Sequence, residues 1–473
     1  MNRRAAVILF LSFAAAVTAY EIYGFATVHS LAADFRAFWC GGSAVLHGAD
    51  PYVTSSLARC EHSPALFGLY AAPPGLVVPA PLPPYGLAMF VPFALLSFPL
   101  AGFVWALLTI GALLLCFGLL ATVLRIPRRM SAWMLLLPAA LLWLPYGEAT
   151  PFALLGALLA ASGLQRQRMP LAAIGLALMA IEPHLALGAW ICAALVVPRM
   201  RLWLALAGVF LIGVSFAVHP SALLEYVRDV LPLHALAELP RQTQYSASWI
   251  ANAFGVVSDT ALRIGEVTYV LALVAGIWSG YAFSRRWKEP AALVFAPLAA
   301  AVIGGTFVHA SQVVLAAPFA ALLATRESGT LRHVSLIACA LLCVPWLQGG
   351  QQQGVVVLAT IVVYGIALAV STFGFALRAA ACAAVLALVL AHRFDAPISH
   401  APAFPVQTAS AQFASASWGQ YIWREQSEVS VALLAAKMPS WLALLLVIGC
   451  AAAALADKEP VSRVGVHEAP IVP

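Results

Sequence analysis

The sequence predicts an all-α polytopic membrane protein with about twelve to fourteen transmembrane helices and short interfacial helices in its external loops. Three observations predict it. Of the 473 residues, 63% are hydrophobic and only 9% charged, against roughly 25% charged in a soluble domain, and the mean hydropathy is +0.93. The deficit of charge runs along the whole chain, which excludes a soluble domain with a single anchor. The apolar stretches contain Pro and Gly and do not alternate with period two, which argues for helices and against an outer-membrane barrel.

The elements follow in order. Arg3 and Arg4 precede an apolar run that continues into Tyr20-Glu21-Ile22-Tyr23 without a small-residue cleavage site, so residues 5–27 read as an uncleaved first span. An external segment, 28–84, ends in Pro79, Pro81 and Pro83-Pro84, after Pro73-Pro74, and these forbid a continuous helix. Residues 86–97 read as one short interfacial or re-entrant helix. Spans follow at 99–124, 131–147 and 150–164. Two segments below spanning length, 170–181 and 185–197, flank Glu182-Pro183-His184, and a span follows at 202–218. After a second external segment, 219–265, come spans at 266–283, 291–306, 310–325, 333–347, 355–371 and 376–392. A third external segment, 393–438, precedes a last span at 440–456. Residues 1–457 thus form one multi-span domain, with 458–473 a short cytoplasmic tail. No tandem or clear inverted repeat is visible.

Charge orients this chain. Of the 25 Lys and Arg, eight fall in the three external segments and 17 on the side of the N-terminus, whereas 14 of the 19 Asp and Glu fall outside or near the outer ends of spans. The positive-inside rule then places both termini in the cytoplasm and the large loops outside. The formal charge of +6 sits in short clusters between apolar runs, which is no nucleic-acid signature. With Lys at three positions, Asn at two and abundant Ala, the composition suggests a GC-rich bacterial genome, hence a bacterial inner membrane with the large loops on its periplasmic face.

Six of the eight cysteines lie in or beside apolar helices, where Cys packs as a small hydrophobe. Cys40 and Cys60 share the first external loop, and the sequence leaves open whether an oxidising compartment joins them. No Cys or His spacing suits zinc, no acidic cluster suits another metal, and the chain has no P-loop, GxGxxG, HExxH or nucleophile elbow. No cofactor is expected.

The densest patch of polar and aromatic residues near the N-terminus is Asp34 to Tyr52. Asp34 sits where the first span leaves the bilayer, as a helix cap or as a general base. Arg36 suits either a pair with Asp34 or an anionic ligand. Asp50-Pro51-Tyr52 reads most simply as a turn. Glu182 and His184 between apolar segments are either solvated in an outer turn or functional, and Glu148 has the same two readings. His309, within Gly304–Gln312, is a structural histidine or a ligand for phosphate or sugar.

Asp34, Phe38-Trp39, Gly42, Leu46, Gly48 and Asp50-Pro51-Tyr52 after a first span resemble the opening of glycosyltransferase family 87. Pro83-Pro84-Tyr85 with Pro92–Phe98 is similar to that family's proline-rich stretch, Gln244–Ser248 to its second-loop motif, and His309 with Val313–Pro318 to a late His-containing segment. The likeness spans most of residues 1–325. It departs at Glu182-Pro183-His184, where a Lys-Pro pair is usual, and at Gly147-Glu148, where a Gly-Gln pair is usual. The 393–438 segment has no counterpart.

The resemblance implies a C-type fold and transfer of a hexose, mannose above all, from a polyprenyl-phosphate-linked sugar donor to a glycolipid or glycan acceptor. Asp34 would be the catalytic base of an inverting displacement. Arg36, Asp50, Tyr52, Glu182, His184, Arg241 and His309 would bind donor and acceptor, with Arg36, Arg241 and His309 facing the leaving phosphate. The expected partners are those substrates and membrane lipids, with no nucleic acid. A transporter or flippase of lipid-linked glycans competes, but it would need charges along a path through the bilayer, and mid-span charges are few. A non-catalytic scaffold would leave the external Asp, Arg and His residues unexplained.

Overall fold

The computed structural model describes residues 32–63, 75–349, 397–399, 404–405 and 412–457. These are mostly helical, and their strands are the short antiparallel pair Pro397–Ser399 with Val429–Ser430. The expected spans at 5–27, 355–371 and 376–392, Pro73-Pro74 and the tail lie outside the described residues.

Among the described residues, four helices are long and apolar enough to cross a membrane: Phe98–Val123, Met200–Val218, Ser258–Trp287 and Val431–Ala456. Their outward faces expose Leu114, Phe210, Val274 and Leu445. Apolar side chains on that scale are stable only against lipid. Between them pack shorter apolar helices, Thr150–Gln165, Met169–Met179, Pro183–Val196, Ala292–Gly304, Val313–Arg326 and Gly329–Leu342. Ala292–Gly304 is buried along nearly its whole length and forms the centre of the main core. Thr150–Gln165 and Met169–Met179 approach so closely that a Cβ on Gly156 would sit 2.5 Å from the Met179 nitrogen, the small-residue contact on which membrane helices pack.

Several boundaries differ from the sequence expectation; the helix expected at 333–347 runs Gly329–Leu342, and three further differences follow. The expected helix at 86–97 is two, Pro84–Ala88 and Val91–Ala94. Pro92 has no N–H to offer the Ala88 carbonyl, so the ladder breaks there. The helix expected from 266 starts at Ser258, because its polar first turns are amphipathic and bury Ala261 and Gly265. The last helix starts at Val431 rather than 440 and runs through Pro439, with Lys437 buried.

Loops alternate between two ends. Arg125, Arg166 and Lys288 line one polar pocket, where buried Glu289 pairs with Arg326 and accepts a 2.7 Å bond from Gln165 Nε2. The other loops converge on a second arrangement at the opposite end.

Candidate active site

Asp34 lies in the first turn of the helix Ala33–Leu46. That helix is held at its start by a 2.8 Å bond from the Ala32 N–H to the Pro145 carbonyl. Phe35 packs against Phe98 and Trp105, and the Trp105 indole N–H donates to the Gly147 carbonyl at 3.0 Å. Gly147 turns the chain at φ +72°, and a Cβ there would lie 2.6 Å from the Phe35 Cβ. Only glycine serves both demands. Cys40 and Cys60 form a disulfide that ties this helix to Thr54–Glu61.

Asp34 thereby lines a cavity of about 130 Å³ with Glu148, Glu182, His184, His234, Glu238, Arg241 and His309. Each comes from a segment that the sequence places at the external end of the helices. The fixed charge at its centre is an ion pair. Arg241 Nη1 reaches both oxygens of buried Glu238 at 3.0 Å. Glu238 also accepts from the Trp418 indole and from Gln244 Nε2 at 3.3 Å, and the Arg241 guanidinium lies over the Trp418 ring. Gln244 and His309 form an antiparallel bridge that fastens the two loops together, with Tyr245 N–H to the Val308 carbonyl at 2.8 Å.

On the other side, Glu182 and His184 share Gln312 as a hydrogen-bond partner, with Nδ1 of the imidazole 3.9 Å from the carboxylate. The Gln312 Oε1 also accepts the His309 N–H at 3.0 Å. Glu148 accepts a 3.0 Å bond from the Thr150 hydroxyl and also bonds Ser311.

Burial separates these groups by charge state. It would raise Glu238, but Arg241 and its other partners hold that carboxyl down at about 2. Burial and then the neighbouring Asp34 push Glu148 up to about 8. Burial pushes Glu182 up to about 7 against the pull of Gln312. Asp34 is raised by burial and pulled back by Arg241 to about 6. The histidines are kept neutral by burial, His184 at about 4 and His309 at about 3. Near neutral pH the cavity thus holds one permanent ion pair, a protonated Glu148, neutral imidazoles and, in Asp34, a carboxylate able to take up a proton. Among the described residues no group of His, Cys, Asp and Glu has the geometry of a metal site.

Of the residues singled out in the sequence, the fold brings Asp34, Glu182, His184, Arg241 and His309 together. It does not bring Arg36, Asp50 or Tyr52 to the cavity wall. Arg36 is buried behind it, where Glu61 and then Asp34 act on its charge. Asp50 caps the turn by accepting the Tyr52 N–H at 2.8 Å, and the Tyr52 hydroxyl donates to the Leu82 carbonyl at 2.9 Å. Tyr52 therefore braces the wall from behind, while Tyr226, which bonds the Pro81 carbonyl, both holds that wall and lines the cavity. The sequence pattern assigns no site role to Glu238, His234, Gln312 or Trp418, which the fold adds to the cavity. The spacing of Glu238 and Arg241, three apart at a helix end, was the available signal for the central pair.

No curated protein and no solved structure matches the chain. Residues 82–309 match the model of glycosyltransferase family 87. That stretch supplies Glu148, Glu182, His184, Glu238, Arg241 and His309 to the cavity, and with the apolar helices around it the match makes the chain similar to the membrane glycosyltransferases of family 87.

Proposed function

We propose that the protein transfers a hexose, mannose first, from a polyprenyl-phosphate-linked donor to a glycolipid or glycan acceptor on the external face of a bacterial inner membrane. The observation that carries this reading is the placing of Asp34 in one cavity with the Arg241–Glu238 pair. The acceptor hydroxyl gives its proton to the Asp34 carboxylate as its oxygen attacks the anomeric carbon. The bond from that carbon to the phosphate oxygen breaks, and its electron pair leaves with the polyprenyl phosphate. Arg241 balances the charge that develops there. One displacement inverts the anomeric centre.

The lipid nature of the donor is supported by a second feature. An apolar groove of about 600 Å³, lined by Met89, Ile174, Trp203 and Phe210 among others, runs between helices Met169–Met179 and Met200–Val218. It meets the cavity at Ile181, which lines both. An isoprenoid chain lying there would bring its phosphate to the cavity mouth. The external side is supported by the Lys and Arg asymmetry of the loops.

The test is transfer by purified protein in detergent, with radiolabelled polyprenyl-phosphate-mannose and a membrane lipid extract as acceptor, beside nucleotide-linked mannose. Label is expected in a new product from the lipid donor alone, with the opposite anomeric configuration by NMR. Transfer from the nucleotide sugar alone, or retention of configuration, would overturn the reading.

A further inference from the structure

Lys437 is the only lysine among the fully buried side chains of the described residues, and it lies outside the cavity. It sits in the second turn of the helix Val431–Ala456, beyond the family-matched stretch. It makes no ion pair among the described residues; its ammonium is satisfied in two other ways. It donates to the backbone carbonyl of Gln244. It also lies in a box of three rings, 3.1 Å from the centroid of Trp249, 5.3 Å from Tyr245 and 5.9 Å from Trp441. Trp441, on the same helix, donates its indole N–H to the Tyr245 carbonyl at 3.2 Å. Two adjacent carbonyls of one loop are thus gripped by one helix.

That loop is the one on which the ion pair depends. The Gln244 side chain accepts the Val308 N–H at 2.8 Å through Oε1 and donates to Glu238 through Nε2. Its backbone pairs with His309. A desolvated ammonium is costly in an apolar core, and an apolar side chain of the same volume usually serves stability as well or better. A lysine here is therefore best explained by what it holds.

We propose that Lys437 is a positioning residue, which clamps the Gln244–Tyr245 backbone from behind and through Gln244 fixes Glu238, and with it Arg241, at the cavity. The consequence for transfer rests on the reading that Arg241 balances the leaving phosphate; the clamp itself does not.

The experiment compares wild type, Lys437→Met and Trp441→Phe in detergent by thermal unfolding, by amide hydrogen exchange at 244–245 and 308–310, and by steady-state transfer. Lys437→Met is expected to unfold at or above the wild-type temperature, since it removes a buried charge. Its amides at 245 and 308 should exchange faster by about tenfold or more. Its kcat should fall by about 100-fold with KM little changed, because a misplaced transition-state contact is lost while ground-state binding remains. Trp441→Phe, which removes one indole N–H and keeps a ring, should move the same amides in the same direction by less. If Lys437→Met does not accumulate as folded protein, Trp441→Phe decides alone. Wild-type exchange at 245 and 308 in the folded variants would overturn the clamp. Faster exchange with unchanged kcat would overturn the positioning role. Failure of the wild type to transfer from the lipid donor would count against the proposed reaction and leave the exchange result to judge the clamp.

Discussion

The sharpest test of the site is the pH dependence of transfer, because three of the four carboxyls in the cavity titrate at different points near neutrality. At pH 7, a group at about 6 is roughly 90% ionised, one at about 7 half ionised and one at about 8 roughly 10% ionised. Asp34, Glu182 and Glu148 are ordered in that way. If Asp34 is the base, kcat/KM rises with pH, reaches half its limit near 6 and is flat above neutrality. If Glu148 were the base, the limb would lie near 8. Asp34→Asn should cost about 10²–10⁴ in rate and abolish the limb near 6, with the unfolding temperature no lower than that of wild type. Two further variants should move the wild-type limb in opposite directions. Arg241→Gln removes the attraction that pulls Asp34 down, so the limb moves up. Glu238→Gln removes a repulsion and frees Arg241, so the limb moves down; each unit of displacement corresponds to about 1.4 kcal/mol. Initial rates of label transfer at constant ionic strength measure all four proteins. An acid limb that survives in Asp34→Asn, or displacements of the same sign in the other two, would refute the assignment.

Three further outcomes are expected. Gly147→Ala should lose about 1–2 kcal/mol to its left-handed backbone and about 1–3 kcal/mol to the contact with Phe35, seen as a lower unfolding temperature and weaker transfer. Cys40→Ser should lose about 3 kcal/mol for a bridge across 20 residues, and wild type under reductant should match it in thermal unfolding. Stability should rise as pH falls from about 8.5 to 6.5. In that window folded Glu148 and Glu182, at about 8 and about 7, bind protons that the unfolded carboxylates, at about 4.5, do not. Glu148→Gln should remove most of that slope, and a wild-type stability that is flat across the window would show the two groups to be ionised in the fold.

The class of fold was legible because a bilayer leaves its mark on every stretch of sequence that crosses it. The candidate site was legible where ionisable groups interrupt apolar runs, as Glu182, His184 and His309 do, and where Asp34 opens a polar patch at the end of the first span. It was not legible where a choice of face decides. Asp34 and Arg36 are two apart on one helix, and residues so spaced point away from each other. One faces the cavity, so the other must turn inward to Glu61. Asp50 and Tyr52 spend their polar groups on a turn and a wall, which only tertiary contacts reveal. Glu238 was hidden among the many polar residues of its segment, and its partner Trp418 lies 180 positions away. Lys437 and Pro439 read as the end of an external loop, since nothing local announces the rings that admit a lysine into a helix core.

The distance along the chain between the groups in the cavity and those that steady them has a consequence for biogenesis. His309 is the last of the ionisable groups to leave the ribosome, and Trp418 and Lys437 follow much later. At about 5–20 residues per second the interval is on the order of 10 s. During it the nascent chain holds the carboxyls, the guanidinium and the imidazoles, while Glu238 lacks the indole that binds it and the Gln244 loop lacks its grip. If transfer needs the Glu238 pair held as it is here, insertion of the last described helix is the step that completes the site, and a product truncated before Trp418 should show no transfer.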